Sequence, residues 1–427
     1  MNELVIEAIS TAGEGIGRLA NGQVVFVPGG VPGDRLRVRL TGRRHRVQLA
    51  ELLEVIDPSA LRIRSRCAVD PCGGCALRMV AAEGLGDLKR RRVVDALRRI
   101  GGLDVEATLA APLRMGDGWR YRHRVRLHAA HSGRRWDLGY YAAKSHALVP
   151  IEACPVLWRE LEQAATSIAT ALAPLPRAVG LGTVELAYSR RDNRSAAVLT
   201  VSGDPQPLTS TLKWLEDAGL SGAVVVSPER RFQHGNVELR YDHGRVDEYS
   251  LRFEPDLFTQ AWPEMNDRLV AAVMAAVKPK AGLRVLEYHS GIGNFTLPMA
   301  LAGAEVTAVE RNRRAAILCR RNLRGAGATA EVVALSDADA SDRLPAAEVV
   351  LLDPPRTGAR AVAEALAARG PSVVVYVSCD SATLARDAKI LTGGGYQLNQ
   401  VAAFDMFPQT PHVETLCVFT RLGVVSP

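Results

Sequence analysis

Residues 284–300 read RVLEYHSGIGNFTLPMA: an apolar strand, a Gly-x-Gly turn at Gly291 and Gly293, then a segment of helical pattern. Such a turn at the carboxyl end of a parallel strand lets backbone approach a ligand in the crevice of an open α/β sheet. About twenty residues on, Glu310 closes the strand EVTAVER (305–311), where a carboxylate can take both hydroxyls of a ribose. The loop has no third glycine and no P-loop lysine, so dinucleotides and nucleoside triphosphates fit it less well. S-adenosylmethionine, which offers no phosphate to cradle, fits better. Strands are expected around it at 330–336, 347–355 and 372–379, with helices at 312–323 and 381–391. Near-continuous apolar strands separated by helices predict a parallel sheet covered on both faces. Two late segments, 396–404 and 413–422, have no helix between them and should add an antiparallel edge.

Three side chains collect at the carboxyl edge of that sheet. Asp353 in LLDPPR (351–356) is aimed by two prolines that stop the strand and stiffen the loop. Cys379 ends VVVYVSC beside a helix that starts at Ser381, and the partial positive charge there should lower its thiol pKa. Glu414 lies in PHVETL. A thiolate and a carboxylate beside a methyl donor make a set for covalent catalysis. Cys319 and Cys417 lack such company and are assigned to packing.

The N-terminal half differs in texture. Short strands at 4–10, 23–29, 34–40 and 45–56, broken by glycines, suit a small OB-like barrel. Residues 101–269 read as mixed α+β. Nine arginines against three acids fall between 35 and 66, and a second basic cluster runs from Lys89 to Arg99. A third, WRYRHRVRL (119–127), would put Arg120, Arg122, Arg124 and Arg126 on one side of a strand. Three clusters in one half point to a phosphate backbone as partner. Cys67, Cys72 and Cys75 are spaced C-x4-C-x2-C, and Cys154 is followed by proline. That 3+1 arrangement suits a [4Fe–4S] cluster better than zinc, which usually takes two C-x2-C pairs.

At 427 residues the chain allows about three domains. Its 47% hydrophobic content and mean hydropathy of +0.01 exclude wholesale disorder. The opening MNELVIEAIS has no basic-then-apolar leader, and the longest apolar runs fall short of the ~18 residues of a span. A cytoplasmic protein is expected, without a membrane or DNA partner and monomeric. The net charge of +7 matters only where it is concentrated.

Together these segments resemble the RNA uracil-5 methyltransferase family over essentially the whole chain. GEGIGRLANGQVVFVPGGVPGDRLRVRL (13–40) is similar to the TRAM RNA-binding barrel, and the four cysteines to the family's [4Fe–4S] ligands. GIGNFTLP, LLDPPRTGA, YVSCDSATLARD and DMFPQTPHVET resemble its methyltransferase motifs in order. The resemblance implies a TRAM barrel over 1–56, a central iron–sulfur and RNA-binding domain over 57–269, and a class I (Rossmann-like) methyltransferase domain over 270–427. It implies Cys379 as nucleophile on C6 of uracil and Glu414 as the base that takes the C5 proton. S-adenosylmethionine would be held by Gln260, His289, Asn294, Glu310, Asp337 and Asp353. The branch with both barrel and cluster resembles enzymes acting on 23S rRNA; tRNA as substrate and a degenerate RNA-binding assembly factor are the alternatives. Asp380, His289, Ser290, Trp262 and Pro411 depart from the family's usual residues, and a carboxylate at 380 should raise the pKa of the neighbouring thiol.

Overall fold

The computed structural model describes residues 1–210, 212–242, 249–336 and 346–421. At the N-terminus, β1 (Asn2–Ile9), β2 (Gly15–Arg18), β3 (Val24–Val27), β4 (Arg35–Arg44) and β5 (Val47–Asp57) close a barrel in the order β1-β2-β3-β5-β4. The period-2 pattern of RLRVRL explains β4: Leu36 and Val38 enter the barrel core while Arg35, Arg37 and Arg39 face out. Those three arginines are engaged across the strands, with Glu3, Glu54 and Glu51. Arg43, Arg44, His45 and Arg46 stay exposed where β4 turns into β5.

The middle of the chain forms a seven-stranded sheet in the order β12-β11-β10-β9-β6-β7-β8. Its strands are β6 (Arg124–His131), β7 (Trp136–Tyr141), β8 (Leu148–Pro150), β9 (Leu181–Ser189), β10 (Arg194–Val201), β11 (Leu220–Val226) and β12 (Arg231–Gly235). Leu161, Ala165, Ile168 and Leu172 recur at helical spacing along Arg159–Leu172 and bury one stripe in the same core as this sheet. β13 (Leu239–Arg240) and β14 (Arg252–Phe253) form a separate pair.

The C-terminal sheet runs β17-β16-β15-β18-β19-β21-β20. It comprises β15 (Arg284–Tyr288), β16 (Glu305–Val309), β17 (Glu331–Val333), β18 (Val349–Leu352), β19 (Val373–Ser378), β20 (Tyr396–Phe404) and β21 (Glu414–Arg421). The first five are parallel, and β21 inserts antiparallel between β19 and β20, as the missing helix predicted. The strand expected at 330–336 is shorter, Glu331–Val333. Helices at Arg313–Gly325 and Ser381–Gly393 match the helical segments in the sequence.

Residues 82–109 precede this sheet by some 180 positions yet share its core. Val93, Val94 and Leu97, from helix Ala82–Ala96 and the turn after it, pack with Leu352, Tyr376 and Leu384. The same helix supplies Lys89, which is fully buried and ion-paired with Asp405. Its ammonium also donates to the Phe407 carbonyl at 2.9 Å, and Arg114 approaches the other Asp405 oxygen at 3.3 Å. Asp405 begins the segment that leads into β21, so this charge cluster anchors the approach to Glu414. Removing one partner leaves an uncompensated buried charge. Lys89→Met should therefore lower the urea midpoint by the equivalent of about 3–5 kcal/mol; a loss below ~1 kcal/mol would show that the pair does not anchor this segment.

Candidate active site

Two glycines shape the turn after β15, for different reasons. Gly293, with φ +98°, is required by packing: a Cβ there would stand 3.0 Å from Cys319 Sγ. Gly291, with φ +57°, faces open space, since a Cβ would meet nothing within 4 Å. That space is a crevice lined by Gln260, His289, Asn294 and Asp353 together with Tyr241, Leu251, Phe258 and Thr259. Glu310 holds the turn from the side. One carboxylate oxygen accepts the Gly291 N–H at 2.9 Å and the other the Asn312 N–H at 2.6 Å. The structure thus brings together five of the six residues expected around a cofactor; Asp337 lies outside the described residues.

The wall opposite the turn was not legible from motifs alone. The Gln260 carbonyl accepts from the Tyr241 hydroxyl at 2.9 Å and from His123 Nε2 at 3.1 Å. Burial pushes His123 down to about 3, so its ring is neutral, and the carbonyl requires the proton on Nε2. Asn294 and Asn266 exchange amide hydrogen bonds of 2.8 and 3.0 Å. Beneath the crevice Glu287 is buried, accepts from the Thr296 hydroxyl at 2.6 Å, and is pushed up to about 8 by burial.

The neighbouring corner is set by strand register. Ser378 lies opposite Thr415, so one step along the same ladder Cys379 meets Glu414. Parallel pairing of Leu352 with Tyr376 brings Asp353 to the same edge. Burial pushes the Cys379 thiol up to about 12, with Glu414 and then Asp353 adding to it and Arg356 opposing. This corrects the expectation of a thiol lowered by the helix end: desolvation and two carboxylates outweigh the partial charge of the helix. Glu414 is itself raised well above the usual carboxylate range, by burial and then by Asp353, and burial lifts Asp353 to about 7.

Asp380 has a different job from the one its position suggests. Its side chain caps the following helix, accepting from the Ala382 and Thr383 N–H groups at 3.0 and 2.9 Å. Among the charges acting on Cys379 it comes after Glu414, Asp353 and Arg356. Arg356 also donates to His412 Nε2 at 3.1 Å, in keeping with a ring that burial and nearby cations push down to about 4.

Cys67, Cys72, Cys75 and Cys154 line one cavity with Trp119, Arg122, Tyr140 and Ile151. Among the described residues, no three cysteines, histidines or acids are drawn together at metal-holding geometry. The donor chemistry nonetheless fits an anionic metal–sulfur group. The Gly74 N–H donates to Cys72 Sγ at 3.5 Å, the Tyr140 hydroxyl lies 3.7 Å from Cys154 Sγ, and buried Arg122 Nε has no partner. Burial, with the other three thiols, pushes Cys75 up to about 12. Cys319 and Cys417 are buried in packing, as expected.

The basic clusters need correction. β6 starts at Arg124, and Arg120 sits at φ +54°, so 119–127 is not one strand with four guanidinium groups on one side. Arg120 pairs with Glu162, Arg124 donates to the Leu257 carbonyl at 2.8 Å, and Arg126 pairs with Glu185. In the second cluster Lys89 is buried and Arg90 and Arg98 are paired with Glu106. Most of this charge serves the fold.

Residues 331–422 match the family model described as tRNA (Uracil-5-)-methyltransferase, and residues 3–53 match the TRAM domain. A Halomonas elongata protein named 23S rRNA (uracil(1939)-C(5))-methyltransferase RlmD is 35% identical, over 97% of this chain and 88% of its own length. A Shewanella baltica protein of the same name is 32% identical, covering 97% and 95%. The chain belongs to the RNA uracil-5 methyltransferase family. Its fold is that of a Pyrococcus abyssi tRNA (uracil-54, C5)-methyltransferase solved with S-adenosyl-L-homocysteine, at TM-score 0.73 and 23% identity over 97% of this chain and 99% of that one. The enzyme is therefore an S-adenosylmethionine-dependent methyltransferase with an N-terminal TRAM barrel, and no helix among the described residues is long and apolar enough to cross a membrane.

The raised thiol makes a prediction independent of substrate. Thiolate, not thiol, reacts with alkylating agents. With the thiol near 12, iodoacetamide modification of Cys379 in the free enzyme should climb about tenfold per pH unit from 7 through 9. Peptide mass spectrometry would follow it; a plateau near pH 7 would contradict the high thiol pKa. Asp353→Asn, by removing a carboxylate, should raise the rate at a given pH.

Proposed function

We propose that this enzyme methylates C5 of a uridine in 23S rRNA. The observation that carries the reaction is the Cys379–Glu414–Asp353 corner opening beside the glycine crevice. What supports ribosomal RNA is the full-length likeness to relatives named for 23S rRNA. Gln260, His289, Asn294, Glu310 and Asp353 (with Asp337 the sixth candidate) would hold S-adenosylmethionine, which would supply the methyl group for C5.

The chain's own residues do the rest. C5 of uracil is a poor nucleophile until C6 is saturated. Cys379 Sγ bonds to C6 and its proton leaves to Asp353, which keeps Glu414 free as a base, while the ring's π electrons move to C5 and O4. Once those electrons have taken the methyl group and the donor sulfur has left as a neutral thioether, Glu414, whose burial raises its affinity for a proton, takes the C5 hydrogen. The C5–C6 double bond re-forms and the thiolate is expelled. To reach the sulfur, the uracil must leave its stack.

Two further assignments belong to the same reading. The four cysteines would hold a [4Fe–4S] cluster that ties 67–75 to 154 and so shapes the RNA-facing side of the middle sheet; the thiol set and Arg122 support it. The chain divides into a barrel (1–56), a middle region (57–269) and the catalytic unit (270–427), with helix Ala82–Ala96 lent across to the last.

Methyl transfer from labelled S-adenosylmethionine to a 23S rRNA transcript should be abolished by Cys379→Ala. Glu414→Gln should slow release of the covalent complex by about 10²–10⁴-fold, so that complex accumulates on denaturing gels. Methylation of tRNA transcripts in preference to 23S rRNA would replace the substrate, and binding without any methylation would leave an RNA-binding factor. Protein purified anaerobically should be brown; a colourless, zinc-loaded protein would contradict the cluster.

A further inference from the structure

β6 and β7 pair so that His128 lies opposite Gly139, which offers no side chain. Tyr141, two residues further on, shares that face, and the imidazole lies flat on its ring, with centroids 4.0 Å apart and planes 20° from parallel. His146 also meets Tyr141, edge-on at 5.2 Å. The alternate residues Leu127 and Leu138 point the other way and fill the core, so these rings are not needed to bury this sheet. Tyr141 is 36% exposed, and His146 and Lys144 are exposed beside it.

The position of this ring cluster is as informative as its composition. Lys144 ion-pairs with Glu14 of the barrel, and Arg44 approaches the same carboxylate at 3.9 Å. The rings therefore adjoin the exposed Arg43–Arg46 turn. Glu14 also accepts from the Ser10 hydroxyl at 3.0 Å, and the Ser10 carbonyl accepts from Arg92 at 2.8 Å. Arg92 in turn lies within electrostatic reach of Asp380, next to Cys379. Ion pairs and hydrogen bonds thus run from Lys144, three residues after Tyr141, through the barrel's Glu14 and Ser10 to Arg92.

We propose that His128, Tyr141 and His146 form a stacking platform for unpaired bases of the RNA strand flanking the target uridine, with Lys144 and the Arg43–Arg46 turn on its phosphates. Every base has a π-face, so an exposed ring stack edged by cations takes single-stranded RNA without needing its sequence. The proposal rests on the RNA methyltransferase reading and adds where the substrate's flank is held.

The test uses the full-length protein and a 23S rRNA transcript, with Kd from filter binding and KM and kcat from methyl transfer. Tyr141→Ala should raise both Kd and KM for RNA roughly tenfold, about 1.4 kcal/mol, the loss falling on KM rather than kcat. Tyr141→Phe, which keeps the ring, should restore both to within about twofold. Because the Tyr141 carbonyl holds Gly73, His146→Ala on the exposed turn is the second variant, expected to raise Kd about threefold. Wild-type Kd in Tyr141→Ala and His146→Ala, or equal losses in Tyr141→Phe and Tyr141→Ala, would overturn the platform. Kd needs no turnover, so a wild type that binds but does not methylate sinks the activity reading while the platform is still judged by the same ratios.

Discussion

The register of β21 against β19 is the constraint on which the site depends. Because β21 runs antiparallel in an otherwise parallel neighbourhood, its second residue, Thr415, pairs with Ser378 at the end of β19, and one step on Glu414 is delivered to Cys379. A parallel strand would have placed its carboxyl end there instead. The segment before Glu414 must then cross the open edge of the sheet, and buried Lys89 holds it at Asp405 and Phe407. The same placement buries two carboxyls beside a thiol: burial raises all three, with Asp353 adding to Glu414 and both carboxyls adding to the thiol. A free enzyme with a protonated thiol is thus a consequence of the topology.

Much of this was legible in residues alone. The strand–glycine–helix stretch at 284–300, the Asp353 loop and the paired late strands fix the sheet's edge, since apolar runs and turn residues report local geometry directly. The barrel was legible because RLRVRL can satisfy only a one-sided strand. Burial depth was not legible. The helix start beside Cys379 argued for a lowered thiol, yet the desolvation that decides the matter comes from residues far off in sequence. Asp380 shows a related limit: it does push the thiol up, as its adjacency to Cys379 suggested, but it ranks behind Glu414 and Asp353, and its hydrogen bonds to Ala382 and Thr383 commit it to a cap. The wall made by Tyr241 and His123 behind Gln260 had no motif to announce it.

Charge was the least faithful guide. Arginine alternation at 119–127 suggested one cationic face, but Arg120, Arg124 and Arg126 are spent on Glu162, the Leu257 carbonyl and Glu185. A guanidinium carries five donors in a fixed fork, so it is as suited to bracing loops as to phosphate. The turn at Arg43–Arg46, unremarkable within its cluster, is exposed, as are Arg64 and Arg66. Partners decide what a charge does, and partners come from the fold.

The account stands on sulfur at 379 bonding to a uracil ring. The most direct measurement is to incubate the enzyme and S-adenosylmethionine with RNA carrying 5-fluorouridine, whose C5 fluorine cannot leave as a proton, and to map the denaturant-stable product by mass spectrometry. A nucleotide adduct on the peptide containing Cys379 is the predicted result. No stable product from an enzyme that methylates the unfluorinated RNA, or an adduct on another residue, would contradict it.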